Sequence, residues 1–358
     1  MSAAEPCGCP RWQSCEREDH DVSRPPLHDA ARSGPVSAPL AIPTLDDVRA
    51  ARKRIAPYLQ PTSLYRYPVL EQLVGTEVWV KHENHQPVGA FKVRGGINLV
   101  SQLSPDERER GLITASTGNH GQSIAYAARL FGAAAIVCVP EGANPLKVEA
   151  IRGLGAEIVE HGRDFDDARE HCERLATGRG YRYVHSGDEP HLIAGVGTIT
   201  LEILEQQPEI DVVIVPVGGG SGAAGACIVA DASEREVEII GVQSESAPAA
   251  YRSWKAHELV EDRMQTFAEG LATRVGFALP QRILWQLLDT FVLVSDEQIR
   301  GAMAQMIGGT RNLVEAAGAA PLAAALKLRE RLADKRVALV CSGGNVSLPQ
   351  LRELLAAT

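Results

Sequence analysis

The chain has 358 residues, of which 45% are hydrophobic and 23% are charged, a globular composition that excludes disorder throughout the chain. Its 36 basic and 45 acidic side chains leave a formal net charge of -9, which is the wrong sign for a protein that binds nucleic acid. The most apolar stretch, residues 212–230, contains a proline and five glycines and no secretion signal opens the chain, so we expect a cytoplasmic protein without membrane partners.

The order of apolar and polar segments predicts an α/β fold. Residues 1–40 are rich in proline, serine and charged side chains without hydrophobic periodicity, which predicts a disordered extension. From residue 77 onward, short β-prone runs alternate with helical segments, a pattern typical of mainly parallel sheets. Nine strands are predicted, at 77–82, 112–116, 135–139, 157–160, 181–185, 212–217, 238–242, 291–294 and 337–341.

Nine strands exceed one compact sheet, so we expect two open, twisted, mainly parallel sheets flanked by helices. We predict a large domain formed by residues 41–99 and 188–358, and a small α/β domain formed by residues 100–187. Two capping boxes support this parsing, because Ser104 precedes Pro105 and Glu107, and Ser295 is followed three residues later by Gln298. Gly111 is expected to end the helix that begins after Ser104.

One of the seven lysines lies in a setting that favours chemistry. Lys92 occupies the apolar, glycine-rich segment 89–96, where an ammonium group is poorly solvated and its pKa is expected to fall. A neutral amine is the form that attacks a carbonyl carbon. The alternative is a lysine whose stem lies along a helix surface with its amine in water.

Three polar or glycine-rich segments follow predicted strands, where open α/β folds bind ligands. The first, 116–120, is a strand-to-helix elbow whose main-chain amides favour a substrate carboxylate, while Asn119 is suited to bonding a planar ligand; the alternative is a turn without a ligand. The second, 218–222, is suited to holding a phosphate, although it is neither a P-loop nor a dinucleotide fingerprint. The third is Ser342 with the two glycines that follow it.

Together these segments resemble the pyridoxal-phosphate enzymes of fold type II, the tryptophan synthase β-like family, and most closely its serine/threonine dehydratase branch. The resemblance covers about residues 45–356. The matching segments occur in the family's order, at Ser63-Leu64, 89–95, 116–121, 145–147, 153–158, 218–222, 315–318 and 342–345.

The resemblance implies a role for each site residue. Lys92 forms the Schiff base with pyridoxal phosphate, Phe91 packs near the ring, Asn119 bonds its 3-hydroxyl group, and Ser342 faces its ring nitrogen. Glu315 lines the pocket near the ring, unless it is a carboxylate on a helix surface. The phosphate is held by Gly218, Gly219, Gly220, Ser221 and Gly222, and the substrate by Ser116, Thr117, Gly118, Asn119 and His120.

The implied reaction is dehydration and deamination of L-threonine or a related β-hydroxy amino acid such as L-serine, giving a 2-keto acid and ammonia in a homodimeric enzyme. Racemisation is a lesser alternative, because Thr117 stands where racemases of this family carry a serine. β-Replacement, a hydroxyaspartate-type dehydratase, a binding protein without turnover and a nicotinamide oxidoreductase are further alternatives. No metal site is expected, since Gln243 stands where metal-binding members tend to carry an acid.

Overall fold

The computed structural model describes residues 39–357. The extension predicted over residues 1–40 therefore lies, except for its last two residues, outside the described residues. Within them the chain forms ten strands: β1 (Leu64–Arg66), β2 (Glu77–His82), β3 (Leu112–Ala115), β4 (Ala135–Val139), β5 (Glu157–Glu160), β6 (Arg182–Tyr183), β7 (Val212–Pro216), β8 (Glu238–Ser244), β9 (Thr290–Val294) and β10 (Arg336–Cys341).

Fourteen α-helices are interleaved with these strands in the described part of the chain, together with short 3-10 turns at Glu83–His85 and Glu269–Leu271. The α-helices are α1 (Leu45–Ile55), α2 (Pro68–Val74), α3 (Lys92–Val100), α4 (Pro105–Arg110), α5 (Asn119–Phe131), α6 (Pro145–Gly153), α7 (Phe165–Arg179), α8 (Pro190–Gln206), α9 (Ser221–Asp231), α10 (Ala249–Ala256), α11 (Ala278–Leu287), α12 (Asp296–Thr310), α13 (Ala316–Lys327) and α14 (Leu348–Ala357).

The strands form two sheets, as the sequence predicts. The large sheet has six strands in the order β1-β2-β10-β7-β8-β9, and only the β1–β2 pair is antiparallel. The small sheet has four parallel strands in the order β5-β4-β3-β6. All nine predicted strands are confirmed; β1 was not predicted because three residues, two of them exposed, carry little periodicity.

The helix boundaries follow the local capping signals. The Ser104 hydroxyl accepts a bond from the Glu107 amide at 3.2 Å, and the Glu107 carboxylate accepts one from the Ser104 amide at 2.9 Å. Gly111 ends α4 with φ 88°, a backbone conformation that glycine adopts without steric cost. Ser295 and Gln298 form the same reciprocal pair at the start of α12, so both predicted capping boxes are confirmed.

A buried network of charges, which the sequence reading did not foresee, anchors α3 in the core. The Arg94 guanidinium binds both oxygens of Glu83, at 2.7 and 2.8 Å, and both oxygens of Glu202, at 2.7 and 2.8 Å. Lys81 donates to Glu202 at 2.7 Å. The exposed fractions of the four side chains are between 0% and 3%, so β2, α3 and α8 are joined by charges shielded from water.

The core of each sheet is built from aliphatic side chains. β3, β4, β7 and β10 are almost wholly buried, which agrees with parallel strands covered by helices on both faces. No helix of residues 39–357 has the length and apolar content needed to cross a membrane.

Candidate active site

Lys92 is the first residue of α3, and its amine is held between two loops. Nζ donates to the Ser186 carbonyl at 3.0 Å, in the segment after β6, and to the Ser221 hydroxyl at 3.1 Å, at the start of α9. Burial lowers the pKa of Lys92 to about 8. About a tenth of the amine is therefore neutral at pH 7, far more than in an ordinary surface lysine with a pKa of about 10.4.

The segment that carries Lys92 is fastened to the end of β10. The Phe91 amide donates to the Ser342 carbonyl at 2.9 Å, and the Gly344 amide donates to the Gly89 carbonyl at 2.9 Å. Phe91, Ser342 and Gly222 line one small cavity. The structure thus brings the lysine segment, the glycine loop and the last strand together.

The glycine loop between β7 and α9 presents unused amide groups. No group among the described residues accepts a hydrogen bond from the main-chain amides of residues 218–223. Gly220 has φ 92°, and a Cβ atom on Gly218 would overlap the Gly270 carbonyl. Consecutive free amides of this kind at a helix start form a binding site for an anion such as a phosphate.

The elbow after β3 has a second set of unused amides. The Ser116 hydroxyl accepts bonds from the amides of Gly118, at 3.2 Å, and Gly121, at 3.0 Å, and so holds the turn. The amides of residues 117, 119 and 120 donate to no group in the described part of the chain. These three groups are suited to a carboxylate.

The side chain of His120 points to the interior of the small sheet. Its Nε2 lies 3.0 Å from the Thr114 hydroxyl and its Nδ1 is buried without a partner among the described residues. Burial, with a smaller contribution from the Lys92 charge, lowers the pKa of His120 to about 3. His120 is therefore neutral, and what it offers at the elbow is its main-chain amide.

Asn119 is oriented by a chain of hydrogen bonds. The Asn345 side-chain amide donates to Asn119 Oδ1 at 2.8 Å and to the Val88 main-chain carbonyl at 2.9 Å, and Asn119 Nδ2 donates to Glu315 at 2.8 Å. One amide hydrogen of Asn119 remains for a ligand. Burial raises the pKa of Glu315, although the bond from Asn119 acts in the opposite direction.

Two glycines make room for this chain of hydrogen bonds. A Cβ atom on Gly89, which has φ 66°, would lie 2.6 Å from Asn345 Oδ1, and one on Gly343 would lie 2.8 Å from Glu315 Cδ. The Asn345 role was missed although the residue was part of a quoted motif. The Ser186 contact to Lys92 had no sequence signal, because every residue has a main-chain carbonyl.

A cavity of about 330 Å³ adjoins the Asn119 bonds and is lined by Glu315, Asn345, Lys147 and Arg300 among others. The Lys147 amine forms an ion pair with Glu269 beside it. Among the described residues, no group of three or more His, Cys, Asp or Glu side chains is arranged to hold a metal ion. Gln243 is buried, and its amide oxygen accepts a bond from the Tyr251 amide at 3.0 Å.

The two-sheet fold and the site around Lys92 are typical of one class of enzyme. The family described as pyridoxal-phosphate dependent enzymes matches residues 55–343, and the chain belongs to it. Its cofactor is therefore pyridoxal phosphate, as the sequence predicted.

Individual relatives are known by sequence and by structure. The chain is 37% identical to L-threonine ammonia-lyase of Thermotoga maritima over 315 residues, which cover 87% of this chain and 78% of the relative. It is similar to the processed form of threonine deaminase isoform 2 from Solanum lycopersicum, with a TM-score of 0.84, 30% identity and coverage of 87% and 91%. Serine racemase from Dictyostelium discoideum gives a TM-score of 0.81, 32% identity and coverage of 86% and 100%.

The residues present fit the cofactor. A row of unbonded amides at 218–223 matches a phosphate, the Lys92 amine matches an aldehyde, and the remaining amide hydrogen of Asn119 matches a phenolic oxygen. Lys92 begins α3, Asn119 follows β3 of the small sheet, and residues 218–223 follow β7 of the large sheet.

Proposed function

We propose that the protein deaminates L-threonine or a related β-hydroxy amino acid such as L-serine by β-elimination, releasing a 2-keto acid and ammonia. The observation that carries the proposal is the Lys92 amine, desolvated and held between Ser186 and Ser221 beside the unbonded amides of residues 218–223. The name of the Thermotoga relative, an L-threonine ammonia-lyase, supports the same reaction.

Pyridoxal phosphate, when bound, supplies an aldehyde for the amino group of the substrate and a ring that withdraws electrons from Cα. In our proposal the residues 218–222 hold its phosphate, Asn119 donates to its phenolic oxygen, and Phe91 packs beside its ring. Ser342 faces its nitrogen with a neutral hydroxyl, which suits elimination better than a long-lived carbanion. Glu315 acts by fixing the Asn119 side chain.

Lys92 is the proposed base. Nζ in its neutral form would remove the Cα proton of the bound substrate, and the lowered pKa of Lys92 makes that form much more abundant than in an ordinary lysine. The elbow formed by Ser116, Thr117, Gly118, Asn119 and His120 holds the substrate carboxylate through its free main-chain amides. The β-hydroxyl would then leave as water with the proton that Nζ took from Cα, and hydrolysis of the released enamine would give the 2-keto acid and ammonia.

The test is keto acid release from L-threonine and L-serine by purified protein supplied with pyridoxal phosphate. We expect 2-oxobutyrate and pyruvate from the native protein, none from Lys92→Ala, and unchanged rates from Lys255→Ala, which removes an exposed lysine. A protein that binds the cofactor but releases keto acid from neither substrate would contradict the proposal.

Racemisation is the second candidate, because a serine racemase is among the similar structures. The β-branched Thr117 has a restricted χ1 and crowds the approach to the substrate face that a serine would leave open. Thr117→Ser is therefore expected to increase D-serine formation from L-serine. An unchanged rate of D-serine formation would contradict this steric explanation.

We also propose a cytoplasmic homodimer with the two domains named above. The small sheet lies wholly between residues 112 and 183, which supports a small domain over residues 100–187. The four cysteines of the described part are unpaired and buried, as is usual in a reducing compartment. Sedimentation equilibrium tests the dimer, and cell fractionation tests the compartment.

A further inference from the structure

Phe277, immediately before α11, packs into spaces left by two glycines. A Cβ atom on Gly187 or on Gly219 would overlap its ring. The His185 ring also meets the Phe277 ring edge to face, with centroids 4.8 Å apart and planes at 75°. The ring is therefore interlocked with the segment after β6 and with the glycine loop after β7.

Hydrogen bonds hold the Phe277 segment against the segment after β6. The Leu279 amide, two residues beyond Phe277, donates to the Asp188 carboxylate at 2.8 Å. The amides of Gly187 and Asp188 donate to His185 Nδ1 at 3.2 and 2.8 Å. These bonds fix both the backbone that carries Phe277 and the ring that packs on it.

The two loops in contact with Phe277 are the loops that hold the Lys92 amine. Ser186, which accepts from Nζ, directly precedes Gly187, and Ser221, which also accepts from Nζ, lies two residues after Gly219. The Phe277 ring is only partly buried, so it keeps accessible surface in this region. A rigid aromatic wall thus stands beside the position where the bond changes of the proposed reaction take place.

We propose that Phe277 sets the upper size of the substrate side chain, so that the site takes amino acids with a hydroxymethyl or hydroxyethyl group and excludes those with an aromatic group on Cβ. This inference rests on the proposed function for the reaction, but the size limit itself concerns binding. A ring wedged between two backbones has no room to move aside for a larger substrate.

The packing is tested first, by a double substitution. Gly187→Ala is expected to lower the melting temperature and the affinity for pyridoxal phosphate, because the added methyl group overlaps the ring. The combination of Gly187→Ala with Phe277→Ala is expected to restore both. If the losses in melting temperature and in cofactor affinity of the double variant equal the sum of the losses of the two single variants, the interlocked packing is wrong.

The size limit is tested with L-serine, L-threonine and L-3-phenylserine on the cofactor-loaded protein. For Phe277→Ala we expect the ratio of kcat/KM for 3-phenylserine to that for threonine to rise at least tenfold, with a smaller rise for Phe277→Leu. Phe131→Ala is the control, because Phe131 packs on Tyr58 at the end of α5, and its ratio is expected to stay unchanged. Equal ratios in all four proteins would overturn the proposal.

A binding measurement separates this proposal from the proposed reaction. The change in cofactor absorbance on adding each amino acid gives its dissociation constant whether or not keto acid appears. If no protein turns over threonine, the proposed function fails, while tighter binding of 3-phenylserine to Phe277→Ala still supports the size limit. If Phe277→Ala does not fold, Phe277→Leu carries the same comparison.

Discussion

Replacing Arg94 with methionine tests the buried charge network that anchors α3. The substitution keeps an unbranched side chain but removes the guanidinium that binds both oxygens of Glu83 and of Glu202. Lys81, which donates only to Glu202 among these carboxylates, then remains as the one cation of the four-residue network. Glu83 is left buried with Thr62 and Gln86 as its hydrogen-bond donors.

Removal of one partner from a fully buried ion pair costs about 3 to 5 kcal/mol of unfolding free energy. With about 2.1 cal/mol/K of unfolding entropy per residue over roughly 320 residues, the melting temperature falls by about 4 to 7 °C. Arg152, whose pair with Glu149 is largely exposed, gives the matched control. For Arg152→Met we expect a loss of about 0.5 kcal/mol or less, since exposed pairs contribute little.

Thermal unfolding of the cofactor-free proteins, followed by circular dichroism, measures both variants. The loss of stability at acidic pH, measured as the melting temperature against pH, gives a second test. Burial opposes ionisation of Glu83, but Arg94 and Lys81 outweigh it and hold the pKa of Glu83 below its ordinary value. A lowered pKa gives stability that is present above the unfolded value of about 4.5 and is lost as the pH falls through the folded value.

In Arg94→Met the larger part of that opposing charge is gone, so the pKa of Glu83 rises and stability is lost at a higher pH than in the native protein. The reasoning would be refuted if Arg94→Met melted within about 1 °C of Arg152→Met and if both variants lost stability over the same acidic pH range. It would mean that the network contributes no more than a surface pair does.

Further predictions concern the site itself. The rate at which pyridoxal phosphate attaches to the cofactor-free protein should rise about tenfold per pH unit below pH 8 and level off above it, because the pKa of Lys92 is about 8. Stopped-flow absorbance measures this rate, and a rate that still rises steeply at pH 9.5 would contradict the prediction. Asn345→Leu removes the donor that orients Asn119 and should weaken cofactor binding about tenfold, in line with a buried hydrogen bond of 1 to 3 kcal/mol, as measured by absorbance titration. Gly89→Ala, which combines φ 66° with a Cβ atom 2.6 Å from Asn345 Oδ1, should weaken it at least as much, and undiminished affinity would count against the Asn345 role.

The parts of the fold that follow from local periodicity could be predicted from the sequence. The buried parallel strands are continuous apolar runs, and the capping boxes at Ser104 and Ser295 are encoded within four residues each. β1 was missed because its three residues gain order from pairing with β2, a contact that the local sequence does not show. The assignment to the family, its fold and its cofactor rested on motif order, and all three are confirmed.

The segments that form the site could be predicted from the sequence, but the contacts between them could not. Lys92 was found because it lies in an apolar, glycine-rich segment, and the glycine loop and the elbow were found because ligands bind where strands end in open α/β folds. The partner of Lys92 was not predictable, since Ser186 is distant in sequence and accepts through its main-chain carbonyl. Glu202, the partner of Arg94 in the core, is an ordinary carboxylate that is equally distant in sequence. The inward direction of the His120 side chain likewise depends on Thr114 and Val184 in the folded small sheet.

The position of β10 has a consequence for the order in which the site can assemble during synthesis. This strand lies between β2 and β7 in the large sheet, yet it is the last strand of the described chain to leave the ribosome. Ser342 and Asn345 follow it, so a nascent chain already containing Lys92 and the glycine loop still lacks the strand that fastens them together. The pairing of β2 and β7 with β10, and the hydrogen bonds that join the lysine segment to Ser342 and Gly344, therefore form only after the chain has been translated through residue 344.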